Sequence, residues 1–136
     1  MKALFIYCKE FAYTPTIKTV ENAAEVIASS QYENVQVAFI QAEYEDIERE
    51  NDVITKLLKN LKWICGKNQV KKVVLHSFAH LSESKADPDF TKLLFSRVEE
   101  RMRNVGYEVF QTPFGYFLDL QVDAPGFSLA RVFKNI

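Results

Sequence analysis

The chain has 136 residues, 48% of them hydrophobic and 26% charged, which suits one soluble domain with a real core and excludes a disordered chain. Its 17 basic and 18 acidic residues leave a net charge of -1. That excludes the global basic field that drives non-specific nucleic-acid binding, so any RNA contact must come from a local patch or a neighbouring domain. Cys8 and Cys65 are too few for a disulfide scaffold and lack metal-ligand spacing. The apolar run in MKALFIYCKE is too short for a signal peptide or a membrane span. A reduced, cytoplasmic setting is expected, with no membrane contact.

In chain order, Ala3–Cys8 reads as a buried strand and Lys9–Pro15 as a loop, because Pro15 biases Thr14 away from helix. The spacing of Val20, Ala23, Ala24 and Ile27 predicts a helix over Thr16–Ser29. Val35–Glu43 alternates as a strand. Asn51–Gly66 carries Ile54, Leu57, Leu58, Leu61, Ile64 and Cys65 at helical spacing, with Gly66 as the expected cap. Lys72–Ser77 is a short β-branched strand. Asp87 and Pro88 then open a helix as N-cap and first helical residue, with Phe90, Leu93, Leu94, Val98 and Met102 on its apolar face and Gly106 at its end. Tyr107–Thr112 and Tyr116–Asp123 are read as strands forming a hairpin, and Ser128–Phe133 as a short final helix. This order predicts a single α/β domain over residues 1–136, with a mixed β-sheet and packed helices.

Two loops hold the residues suited to chemistry. His76-Ser77-Phe78-Ala79-His80-Leu81-Ser82 follows a strand and precedes a helix, where open α/β sheets bind ligands. His80 could act as a general base or a hydrogen-bond donor, or simply cap a loop. Two histidines four apart with no clear third ligand make a weak metal signal, and no metal or cofactor is expected. In Thr112-Pro113-Phe114-Gly115-Tyr116, Gly115 permits close backbone approach or a tight bend. Phe114 and Tyr116 could wall an adenine or serve as core aromatics. The run Glu43, Glu45, Asp46, Glu48 and Glu50 reads as a solvated loop and helix start. Arg97–Arg103, with Lys92, could touch phosphates or face solvent.

Taken together, F-A-H-L-S at Phe78–Ser82 and P-F-G-Y at Pro113–Tyr116 resemble the editing domain at the N-terminus of archaeal threonyl-tRNA synthetases. The likeness extends to A-L-F-I-Y at the start, to Val37-Ala38-Phe39-Ile40, to Glu99-Glu100-Arg101 through Asn104-Val105-Gly106-Tyr107, and to the Gly126…Leu129-Ala130 spacing. The resemblance implies the D-aminoacyl-tRNA deacylase-like fold and a homodimer. It implies a pocket that takes the tRNA 3′-terminal adenosine carrying serine, hydrolyses Ser-tRNA(Thr) and spares threonine. Ser77, Phe78, Ala79 and His80 would hold the seryl group, with His80 catalytic. Phe114, Gly115, Tyr116, Phe117, Leu118 and Arg131 would complete the pocket, and the RNA 2′-hydroxyl would assist the attacking water. Further synthetase domains are possible partners.

The sequence departs from that pattern at named positions. Phe117 and Leu118 stand where the family has an aromatic, usually tyrosine, and then lysine; Arg131 stands at its glutamate and Ser77 at its common proline. Losing one oriented polar group typically lowers a rate by about two to three orders of magnitude. Two expectations therefore stand side by side: an active editing deacylase resting on His80, main-chain groups and the RNA hydroxyl, with Asp119 or Arg131 substituting in part, and a binding or dimerisation module without turnover.

Overall fold

The computed structural model describes residues 1–25 and 28–136. Six strands and two helices run β1 (Lys2–Lys18), β2 (Ser30–Gln41), α1 (Glu50–Lys67), β3 (Lys72–Ser77), α2 (Pro88–Asn104), β4 (Glu108–Gln111), β5 (Tyr116–Asp123) and β6 (Arg131–Asn135), with 3-10 turns at Tyr44–Arg49 and Ser128–Ala130. The sheet order is β4-β3-β2-β1-β5, with β6 pairing further along β1. β2, β3 and β4 are parallel, whereas β1 runs antiparallel to β2, β5 and β6. The two βαβ crossovers step the same way across the sheet, and a consistent hand places both helices on one face.

That face is closed by Val53, Leu57, Leu61 and Ile64 of α1 and Leu94, Phe95, Val98 and Met102 of α2 against Ala3, Phe5, Ala38, Ile40, Val73, Leu75 and Val109. Among the described residues, the opposite face carries no helix. It is covered by the chain's own first hairpin, bent back over the sheet. Phe39 pairs with Leu4, and Phe11, seven residues further along, pairs with Tyr32. On a straight strand those positions would lie roughly 23 Å apart. Their rings instead meet edge to face at 6.3 Å, and Phe11 also lies 6.4 Å from His76.

The bend has a local cause. Asn34 sits at φ 49°, a left-handed conformation that asparagine tolerates better than most residues. The ladder pairs Cys8 with Val35 and Glu10 with Glu33, omitting the Lys9–Asn34 pair between them. Both strands change face there: Cys8, Val35, Val37 and Phe39 on one side of the kink share a second core with Phe11, Tyr13 and Tyr32 on the other.

Several expectations from the sequence are corrected. Lys9–Pro15 is strand, not loop. Pro15 is tolerated because pairing with β2 stops at Tyr13, so its missing N–H breaks no ladder bond there. No helix spans Thr16–Ser29: strand continues to Lys18, a turn follows, and Val26 and Ile27 lie outside the described residues. Gly66 falls inside α1, and Gln69 takes the left-handed conformation after it, at φ 53°. Leu93 is exposed and Phe95 takes its place in the core. β5 pairs with β1 rather than forming a hairpin with β4. The expected last helix is one 3-10 turn followed by β6, whose backbone completes β1. The other elements stand, including the Asp87 cap, which accepts from the Phe90 N–H at 2.8 Å.

Phe11 bridges the bent hairpin to the sheet. Phe11→Ala should cost about 3–5 kcal/mol, read as a lower urea midpoint, and should loosen the second core around His76.

Candidate functional site

β3 carries its buried residues Val73–His76 into a turn at its carboxyl end. Phe78 N–H continues the parallel pairing for one more bond, to Ile40 O at 2.9 Å. His76 is buried, at the floor of the cleft between the loops. It lies among Phe39, Phe78 and Phe11, with one ring nitrogen 2.9 Å from Thr112 Oγ1. Burial, aided by nearby His80, pushes its pKa down to about 4, so it is neutral at pH 7. His80 is the exposed histidine, its ring 4.8 Å from Phe78.

The turn after His80 is held by one side chain at the carboxyl end of β2. Gln41 Oε1 accepts from Leu81 N–H at 2.6 Å and Ser82 N–H at 2.7 Å. Its Nε2 donates to Ser82 O at 2.8 Å and Ser84 O at 2.9 Å. A buried amide with both ends paired is a strong local constraint. The N–H groups of Ala79 and His80, just ahead of this clamp, form no hydrogen bond among the described residues.

Glu43 adds a second brace. Its carboxylate accepts from Ser82 Oγ at 2.6 Å, the Met1 ammonium at 2.6 Å and Lys2 Nζ at 3.2 Å. Burial alone would raise its pKa, but these donors outweigh it and hold the carboxyl at about 2. The acidic run is therefore not simply solvated: Glu43 and Asp46 are buried, and Asp46 binds the Met1 ammonium and Arg49.

The second loop faces the first. Thr112 N–H bonds Leu75 O at 3.1 Å, tying the end of β4 to β3. Gly115 sits at φ 83°, and a Cβ there would lie 2.8 Å from Ala23 Cβ and 3.1 Å from Val20 Cβ. Both the backbone angle and the packing therefore require glycine. The segment 19–25 seals against it: Thr19 N–H donates to Gly115 O at 2.7 Å, and Tyr116 OH to Ala24 O at 2.8 Å.

Between the loops lies a cleft of about 450 Å³. Ser77, Phe78, Ala79 and His80 line one side, and Phe114, Gly115, Tyr116, Phe117 and Leu118 the other. Leu118 is half-buried, packs against the second core and presents an aliphatic wall.

The whole chain, residues 1–136, matches the model of the archaea-specific editing domain of threonyl-tRNA synthetase. The chain belongs to that family. Relatives include the threonine–tRNA ligases of Thermococcus kodakarensis, 29% identical over 140 residues, and Thermofilum pendens, 29% identical over 138 residues. Each match covers 100% of this chain and 22% of the ligase, so the chain spans about a fifth of those proteins. Among solved structures, the c-Myc DNA Unwinding Element Binding Protein superposes with a TM-score of 0.68 at 12% identity, covering 100% of this chain and 99% of that one. The fold is the D-aminoacyl-tRNA deacylase-like one, a single α/β domain with a mixed six-stranded sheet. No helix among the described residues is long and apolar enough to cross a membrane.

The editing-domain chain leaves Arg131 apart from the cleft lining. It opens β6 opposite Ile6, and its guanidinium donates to Pro125 O at 3.0 Å and Ala124 O at 3.5 Å. Asp119 is exposed on the outward side of β5, away from the cleft lining. Sequence reasoning missed Thr19, Val20, Gln41, Ala42, Lys85 and Thr91, all of which line the cleft. Gln41 had one usable signal: a polar residue ending the apolar strand Val37-Ala38-Phe39-Ile40. Thr19 and Val20 had none, since their place depends on the strap against Gly115.

His76 gives a pH signature. Its folded pKa lies below the ordinary 6.5, so the unfolded chain binds the extra proton between about 4 and 6.5. Stability is fully present above 6.5 and falls as pH drops through that window. The urea midpoint of the wild type should decline between pH 6.5 and 4, and His76→Gln should flatten that segment whatever its effect at pH 7.

Proposed function

We propose that the cleft is an editing site that hydrolyses the ester of Ser-tRNA(Thr) and spares Thr-tRNA(Thr). The observation that carries this reading is that both family-like loops line one cleft of about 450 Å³, within the usual range for small-molecule sites. A synthetic site shaped for threonine cannot exclude serine, because one missing methyl is worth only about 1–3 kcal/mol. A second, tighter site can discriminate in the opposite sense by refusing the extra methyl. The clamp on Leu81 and Ser82 and the strap on Gly115 support this reading, since they brace both walls.

In this reading the aminoacyl ester enters between Phe78–His80 and Phe114–Tyr116, with the adenine toward exposed Phe117. The N–H groups of Ala79 and His80 are the available donors for the oxygen that becomes negative as water adds to the carbonyl. His80 orients that water and takes or relays its proton, together with the RNA 2′-hydroxyl. The ester C–O bond then breaks, the ribose oxygen regains a proton, and serine leaves as the free acid. Lys85 is the one permanently charged side chain lining the cleft among the described residues. It offers a cation to the terminal phosphodiester of the RNA.

A second reading, binding without turnover, draws support from Leu118, whose aliphatic side chain lines the cleft where family members carry lysine. The homodimer, attachment to further synthetase domains and a cytoplasmic setting belong to the same proposal, by family membership.

Deacylation of Ser-tRNA(Thr) should exceed that of Thr-tRNA(Thr) at least tenfold. His80→Ala should lower kcat by about two orders of magnitude; a variant as fast as the wild type removes His80 from the mechanism. Tight binding of a non-hydrolysable seryl-adenosine with no turnover favours the second reading. Lys85→Ala should raise KM for the tRNA several-fold with little change in kcat. Leu118→Lys should raise kcat if the cleft is an active site lacking a cation near the ester.

A further inference from the structure

The charges of this nearly neutral chain are segregated. Residues 53–82 hold six lysines (Lys56, Lys59, Lys62, Lys67, Lys71 and Lys72) and no aspartate or glutamate. With the whole chain at -1, the remainder carries -1 minus +6, or -7. The first four of these lysines lie on α1. Its inward stripe is Val53, Ile54, Leu57, Leu58, Leu61, Ile64 and Cys65, all buried. At 100° per residue, Lys56, Lys59, Trp63 and Lys67 fall together on the opposite face, with Lys62 beside them. All are exposed, Trp63 by 40%. Lys134 of β6 reaches the same surface, its Nζ 5.1 Å from the centre of the Trp63 ring.

Internal pairing does not consume this charge. Lys56 has one exposed partner, Asp52 at 3.0 Å, while Lys59, Lys62 and Lys67 form no ion pair among the described residues. The alternative basic surface, Arg97–Arg103 on α2, is largely engaged: Arg97 pairs with Glu50, and Arg103 with Glu99 and with Val109 O. The acidic residues between the cleft and the stripe are mostly paired as well. Glu43 and Asp46 hold the Met1 ammonium, Glu50 holds Arg97, and Asp52 holds Arg49 and Lys56.

We infer that the outer face of α1 is a docking surface for the phosphate backbone of an RNA duplex. From Lys56 to Lys67 the helix rises about 17 Å, enough to meet several successive phosphates of one strand. Lysine suits this use as a point charge on a flexible stem that follows the backbone without reading sequence. The placement comes from topology: the chain leaves Gln41 and Ala42, which line the cleft, passes through the Tyr44–Arg49 turn and enters α1, which leads back along the helical layer to β3. A duplex lying on α1 can direct a single-stranded 3′ end toward the cleft. The inference rests on the editing reading only for which RNA this is, the acceptor arm of tRNA.

The test is fluorescence anisotropy of the full chain with a tRNA acceptor-stem minihelix across a salt series. The double variant Lys59→Ala/Lys67→Ala should bind about tenfold more weakly near 50 mM salt. The slope of log K against log salt should fall in magnitude by about 2, since each lost phosphate contact removes roughly 0.9. Arg101→Ala, exposed on α2, should change affinity less than twofold. Both variants should keep the wild-type circular dichroism and urea midpoint. Equal affinity and slope for wild type and double variant overturn the proposal. So does an equal loss in Arg101→Ala, which would mean diffuse charge rather than a defined surface, or double-variant defects seen only in association with other synthetase domains. Hydrolysis of a small seryl ester of adenosine, measured in parallel, needs the cleft and not the stripe. Its absence in the wild type would count against the editing reading and leave the anisotropy result to decide the surface.

Discussion

Everything at the site depends on how the uncovered face of the parallel strands is closed. Two crossovers of the same hand put both helices on one side, and an apolar second face left to water would be costly. The chain covers it with its own first hairpin, kinked at Lys9 and Asn34 so that Phe11 reaches Phe39 and His76. The bend also carries the far half of β1, and β5 paired to it, across the carboxyl ends of β2 and β3. The cleft is the gap left where that cover stops.

On the β3 side of the cleft, stiffness comes from buried polar groups. Gln41 makes four hydrogen bonds to the loop that follows His80, and Glu43 ties Ser82 to the chain's first residue. Such groups are costly to bury unless every atom finds a partner, and once satisfied they fix a single geometry. His76 belongs to this supporting layer. Its neutral ring, enclosed by aromatics and set against Thr112, joins the ends of β3 and β4 beneath the two turns. The two histidines thus divide: one props the floor, the other meets solvent at the rim.

Under the proposed editing role, discrimination by a single methyl would require walls that do not yield. On one side the Gln41 clamp provides this, and on the other the contact of Val20 and Ala23 with Gly115. Their common feature is backbone held by backbone or by a buried amide, so neither wall relies on a long mobile side chain. The charged groups are placed differently, with Lys85 at the cleft and the lysines of α1 on the outer helical face. Rigid backbone and mobile charge thus occupy mostly separate parts of the molecule.

By itself, the sequence determined the parallel βαβ half, both helices, the Asp87 cap and the two loops that meet at the cleft, because those features rest on local periodicity, capping and short motifs. It misread Lys9–Pro15 as a loop on the strength of Pro15, and Thr16–Ser29 as a helix on apolar spacing, where pairing with β5 and docking on Gly115 outweighed local preference. Only the tertiary structure decided that β5 pairs with β1, that Arg131 stands apart from the cleft, and that Gln41, Thr19 and Lys85 line it. The physical reason is the same in each case. A strand's partner and a side chain's neighbour are set by which distant segment covers an exposed apolar face, and that choice follows from a kink at Asn34 whose consequences lie many residues away.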